Sequence, residues 1–245
     1  MNRTMLLLGG LLLLCGCSAM RYSGPYTQII PVVVPRPQQI EQRAEIEGNA
    51  IQAVKDSVTV RINYVSPEEL NEMYPELSRK RAFSGNPYTY GNWIREDPKT
   101  GERRIPLRYL VFQITVVNGT SHRIFIEPSA SFLMDANRRR YSAIGYEQFK
   151  VLLYPRSSAP GAMNTYRSML RVLSETLLFP GSIPPGETRI GFMAFKPLKR
   201  KSTGIRVVLS NIDPFPDAEE AELLAFQFDF DYRMTEEIVR PRRER

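Results

Sequence analysis

One histidine, His122, and two cysteines, Cys15 and Cys17, are the whole stock of imidazole and thiol in 245 residues. A Ser-His-Asp triad would have to run through His122, and no Gly-x-Ser-x-Gly elbow supplies its nucleophile. A Cys/His metal site lacks the ligands. Asp229 and Asp231 stand two residues apart on one face of a strand, a spacing open to glycoside hydrolysis. Phe226, Phe228 and Phe230 claim the opposite, buried face. That leaves the two acids on solvent, with Arg233 and the basic turn 199–201 as cross-strand partners. No enzyme and no cofactor are therefore expected. The best binding candidate is the segment 83–93, FSGNPYTYGNW. Tyr88, Tyr90 and the only tryptophan, Trp93, sit there among Asn86 and Asn92. Flat aromatic faces beside amides suit a sugar ring or the apolar side chains of a protein partner. The alternative is a loop that folds over one end of the domain and plugs it with Trp93. Asn118-Gly119-Thr120 fits a glycosylation acceptor, but a tight turn explains it equally well.

The N-terminus, MNRTMLLLGGLLLLCGCSAM, has one early positive charge, an apolar run from Met5 to Leu14, and then small residues. That is the layout of an export signal, and the run is shorter than the roughly 20 residues of a spanning helix. Leu14-Cys15-Gly16-Cys17 resembles the lipobox of bacterial lipoproteins, with Cys15 where Ala, Ser or Thr is commoner. The resemblance implies cleavage before Cys17 and acylation of its thiol with diacylglycerol. Two or three acyl chains make a durable anchor, at about 0.8 kcal/mol per buried methylene. Ser18 in place of Asp implies passage to the outer membrane, with the domain facing the periplasm. The mature chain would then hold no free thiol and no disulfide, and its stability would rest on packing.

Positioning such side chains is the work of short strands. Val58, Val60, Ile62 and Tyr64 alternate with polar residues, and so do Phe226, Phe228, Phe230 and Tyr232. Asn118-Gly119 predicts a tight hairpin between two further alternating runs. ASFLMDA, RRYSAI, RIGFMAFK and IRVVLSNI add more strands. Ser66-Pro67-Glu68-Glu69 predicts a capped helix start. In residues 144–180, Met163, Tyr166, Met169, Leu170, Leu173 and Leu177 recur at helical spacing. About eight strands without βαβ repeats predict a mainly β protein, an antiparallel sandwich with a helical insertion. The Asn-Gly turn, the Leu-Met-Asp-x-Asn stretch and Pro-Pro-Gly-Glu-Thr together resemble the immunoglobulin-like sandwiches of envelope lipoproteins. That likeness implies a fold and no activity.

The expected organisation is a signal over residues 1–16, then lipidated Cys17, a Pro-rich tether and a short helix over 17–52. The sandwich follows over 53–235, with a long loop at 75–106 and the helical insertion at 144–180. A basic tail, residues 236–245, ends the chain. Pro25, Pro31, Pro35 and Pro37 stiffen the tether; its apolar Ile29 to Val34 either add an edge strand or lie against the domain. The net charge is +7; arginine supplies most of the basic charge, and the stretch Arg240 to Arg245, with four arginines, suits anionic head groups or an acidic partner. Nucleic acid is not expected for an exported chain. The reading is a membrane-anchored, non-enzymatic module that binds or assembles with an envelope protein; the alternative is a peptidoglycan or polysaccharide binder using residues 83–93.

Overall fold

The computed structural model describes residues 25–37, 43–78, 85–90, 94–155, 160–198, 202–214 and 223–240. Cys17 and the export signal lie outside them, as do Asn92, Trp93, Lys199 to Lys201 and the last five residues. In chain order come β1 (Tyr26–Pro35), β2 (Arg43–Glu47), β3 (Ala50–Lys55) and β4 (Val58–Val65), then helices α1 (Pro67–Met73) and α2 (Pro75–Ser78). β5 (Arg95–Glu96) and β6 (Arg103–Ile105) precede β7 (Leu110–Asn118), β8 (Ile124–Ile126), β9 (Phe132–Asp135) and β10 (Arg140–Ser142). Helices α3 (Tyr146–Leu153) and α4 (Ala162–Thr176) follow. The strands resume as β11 (Gly181–Ile183), β12 (Thr188–Phe195), β13 (Gly204–Asp213) and β14 (Leu224–Val239). The protein is mainly β.

Period-two alternation sets the layers. One sheet runs β12-β7-β4-β3-β2; the other runs β10-β9-β13-β14-β1-β6-β5, with β8 and β11 attached beside β13. Val60 and Ile62 on β4, Phe112 and Ile114 on β7, and Phe226, Phe228 and Phe230 on β14 all point into the space between the sheets. The Phe112 and Phe230 rings meet across it with centroids 5.4 Å apart. Pairing is antiparallel except where β1 meets β6.

Two expectations change here, and an open alternative is decided: Ile29 to Val34 add a strand to the domain. The short helix within 17–52 is instead the hairpin β2–β3, paired in turn with β4. Ile51 and Ala53 are fully buried on it, so the edge of β4 overrides a weak local helix preference. The tether is a strand from Tyr26 onward, paired with β14 over ten residues. The Arg36 amide donates to the Asp229 carbonyl at 3.0 Å. Counting back by twos, Pro31 and Pro35 turn their donorless nitrogens away from β14, on the side where the described pairing with β6 stops at Gln28, and such an unpaired side is where a strand tolerates proline. Finally, Asn118-Gly119 does not close a hairpin. β7 pairs with β4 and β12, whereas β8 pairs with β11 and β13 in the other sheet. The segment is a corner crossing between sheets.

That corner explains both residues. Buried Asn118 donates from Nδ2 to the His122 carbonyl (2.7 Å) and the Ile183 carbonyl (2.9 Å), and its Oδ1 accepts from the Thr120 amide at 3.0 Å. Gly119 comes so close to β4 that a Cβ would lie 2.6 Å from the Ser57 carbonyl oxygen. The tight two-residue turn is one step away, at Asp56 and Ser57, both at positive φ.

A second apolar layer covers the other face of the five-stranded sheet. Val111 on β7 and Phe192 and Ala194 on β12 face outward there, beneath Phe149 of α3 and Met169, Val172 and Leu173 of α4. Both faces of β7 and β12 are thus buried near Leu110 and Phe195, which is why their sequences run apolar without alternation there.

Candidate functional site

The aromatic segment is built into this second layer. Asn86 is fully buried; its Nδ2 donates to the Leu70 carbonyl at 2.9 Å and its Oδ1 accepts from the Tyr88 amide at 3.1 Å. It thereby satisfies a carbonyl in the last turn of α1, where the helix supplies no partner. Ser66 and Glu69 hold the other end of α1 by the expected reciprocal cap, at 3.1 and 2.7 Å. Tyr88 is 1% exposed, its ring edge-on to Phe149 and Phe192, and its hydroxyl meets Thr176 Oγ1 at 2.7 Å. Burial pushes that phenol far above its ordinary range. The expected contact role of Tyr88 and Asn86 is corrected: both are interior, and Tyr88 is the plug in this part of the loop. Tyr90 is half-buried beside the same layer. Asn92 and Trp93 fall outside the described residues.

The acidic pair is also split. Asp229 is buried and held by Arg206 in a two-pronged bond, Nε to Oδ1 at 2.7 Å and NH2 to Oδ2 at 2.9 Å. That bond raises the guanidinium above its ordinary value. Asp231 is on solvent, 3.6 Å from Arg36. Among the described residues the partners are Arg206 and Arg36 in place of the expected Arg233; the turn at 199–201 lies outside the described residues. One acid is neutralised, so the two do not work as a pair. His122 is exposed at the corner. Among the described residues, no group of three or more acids, histidines or cysteines is placed to hold a metal. No described helix is long and apolar enough to cross a membrane.

The sequence reading missed the surface where apolar side chains and open space coincide. α3 begins after Gly145 and buries Phe149 and Leu153 against the second layer. In Val151-Leu152-Leu153-Tyr154, four successive apolar residues cannot share one helix face. Val151 (79% exposed), Leu152 (50%) and Tyr154 (58%) are left facing solvent. Beside them lies a groove of about 690 Å³, walled by Val151 and Leu152, floored by Ile144, and rimmed by Arg140, Ser142 and Lys196. A second hollow of about 570 Å³ continues past Gln148 toward Phe179, Pro180 and Phe192. The run of four apolar residues was the available signal.

No family model matches the chain, and no curated protein matches it. Among solved structures it is similar to the yjhA protein from Bacillus subtilis, at 15% identity over 52% of this chain and 68% of that one, with a TM-score of 0.27. It is also similar to a functionally unknown protein from Listeria monocytogenes EGD-e, at 10% identity over 81% and 87%, with a TM-score of 0.31. Likeness at this level carries no functional argument.

Proposed function

We propose that the chain is a lipid-anchored, non-enzymatic module of the bacterial outer membrane that faces the periplasm and binds or assembles with an envelope protein. The observation that carries the reading is the pair of solvent-facing apolar side chains Val151 and Leu152 on the wall of a large groove, with exposed Tyr154 following them in the chain. Clustered apolar side chains rimmed by polar ones favour a protein surface as their cover. The anchor rests on the lipobox-like residues Leu14 to Cys17. The sandwich is taken as immunoglobulin-like, supported by two mainly antiparallel sheets with strands crossing between them at β7–β8 and β12–β13. The glycan alternative is weakened because Tyr88 and Asn86, two of its five contact residues, are interior.

The pairing of β1 changes the mechanics of display. With β1 starting at Tyr26, only the eight residues Ser18 to Pro25 separate the acylated Cys17 from the first strand. Fully extended they span at most about 28 Å, so the domain works close to the bilayer. The test is intact mass, fractionation and detergent co-purification of the full-length protein from envelope. A chain starting at Cys17 with added acyl mass, held in the membrane fraction with a stoichiometric protein partner, is expected. A mature chain starting at Met20 without lipid overturns the anchor. Retention on peptidoglycan with no protein partner overturns the assembly role.

A further inference from the structure

β10 ends the nine-stranded sheet and, among the described residues, pairs with β9 alone. The Arg139 carbonyl accepts from the Asp135 amide at 3.0 Å, and the Ala143 amide donates to the Ser131 carbonyl at 3.3 Å. Successive residues of an antiparallel strand turn both backbone groups alternately toward and away from the partner. Arg139, Tyr141 and Ala143 therefore face β9, while Arg140 and Ser142 aim N–H and C=O outward. Two residues further, the same edge is already in use, since the Ile144 amide donates to the Ala194 carbonyl of β12 at 2.8 Å. Among the described residues the edge is closed at Ile144 and open at Arg140 and Ser142.

That opening lies on the groove under α3. Tyr141 packs on the inter-sheet core and lines the groove together with Ile144, Val151 and Leu152; Arg140, on the other face by strand alternation, also reaches the groove's rim, with its guanidinium 4.2 Å from the Phe132 ring centroid. Arg138, Arg139 and Lys196 are exposed nearby. The acid on the helical wall, Glu147, is held by Lys150 at 2.8 Å, so the surroundings are net basic. An open strand edge beside apolar side chains is the kind of surface proteins ordinarily protect.

We propose that β10 and this groove accept an extended segment of a partner protein in which apolar and acidic residues alternate. Such a segment adds a strand to the sheet through Arg140 and Ser142. Alternate side chains then fall to opposite faces, the apolar ones into the groove and the acidic ones onto the arginines. The proposal rests on the partner-binding reading above and adds to it a site and a chemistry.

The test uses the full-length chain in detergent micelles and two fluorescein-labelled decapeptides, one alternating Val with Glu and one alternating Val with Lys. Fluorescence anisotropy should rise with the Val/Glu probe and not with the Val/Lys probe. Leu152→Glu, at an exposed position, and Ser142→Pro, which removes an outward N–H and no ladder bond, should each weaken binding at least tenfold. Ile190→Glu, on an exposed site of β12, should leave it unchanged. Binding of both probes, of neither, or of Val/Glu with both variants at wild-type strength overturns the proposal. So does a dimer, or binding to anionic phosphatidylglycerol vesicles, that Leu152→Glu abolishes, since a second copy or a lipid surface would then own the groove. A native partner co-purifying with the Leu152→Glu chain at wild-type yield removes the groove and leaves the assembly role standing. No partner with either chain removes the assembly role itself.

Discussion

The inner face of the five-stranded sheet meets the other sheet, whereas its outer face meets three helices and a turn. The inner face draws mostly on strands, with Leu107, Leu178 and Leu198 added from connections. Its residues announce themselves, because every second side chain of β4, and of β14 from Leu224 to Tyr232, is apolar and inward. The outer face is assembled from distant pieces: Leu70 of α1, Tyr88 of a turn, Phe149 of α3, and Leu173 of α4. No local period links them. A layer made by strand alternation can be read from one stretch of chain, while a layer made by docking helices needs the tertiary contacts first.

The comparison breaks hardest at the inner face. Ile114→Asp or Phe228→Asp places an unpaired charge between the sheets, at positions with no exposure. Each should cost about 5 kcal/mol or more and leave the chain unfolded or aggregated, as read by urea denaturation and circular dichroism. Gln113→Glu, half-buried on the same strand, should cost about 1 kcal/mol at most. Equal losses at both positions would show that β7 is not sided in this way.

At the outer face, Tyr88 tests whether the helical layer is part of the same cooperative unit. Tyr88→Ala empties a site between Phe149 and Phe192 and should cost about 3–4 kcal/mol. Tyr88→Phe should cost about 1 kcal/mol, because Thr176 keeps its own bond to the Val172 carbonyl at 2.6 Å. Alkaline pH provides a second probe. Burial raises the phenols of Tyr64, Tyr88 and Tyr232 well above the 10.0 at which an unfolded tyrosine ionises. The unfolded chain alone releases these protons, so the contribution of these three groups to stability is constant well below pH 10 and falls as pH rises through and beyond it. Tyr88→Phe should make that fall shallower in urea midpoints taken across the range. A two-step transition, with the helical layer lost first, would show that the two layers fold separately.

The inner strands, the cap at Ser66 and the helical insertion were legible because each is a local pattern. The misreadings share a cause. QIEQRAEIEGNAIQ carries too few apolar residues to declare itself a hairpin, and only the edge of β4 makes it one. Asn118-Gly119 looks alike in a hairpin and in a crossing corner, since the difference lies in which sheet receives β8. Tyr88 and Asn86 have the composition of a binding loop because a polar turn that docks on a helix end needs the same amides and rings. The apolar wall of α3 was written plainly in Val151 to Tyr154, but its meaning depends on the neighbouring edge of β10.

The smallest expected effects sharpen the comparison within a single strand. Asp229 and Asp231 are two residues apart on β14 and share a face, so local sequence treats them as equals. Their partners do not. Asp229 is buried on a two-pronged bond to Arg206, which is itself part-exposed, while Asp231 lies 3.6 Å from a mobile-length arginine in water. Asp229→Asn keeps the shape and removes the charge from that bond, at an expected cost of about 1–2 kcal/mol. Arg206→Lys should cost nearly as much, because an ammonium cannot reproduce the planar fork. Asp231→Asn should cost less than about 0.5 kcal/mol. Salt separates them further: in 0.5 M NaCl the small effect at Asp231 should vanish by screening, while most of the loss at Asp229 persists in its low-dielectric surroundings. Equal costs for the two substitutions at low salt, both erased at high salt, would place Asp229 on solvent with its neighbour and return the pair to the symmetry its sequence suggests.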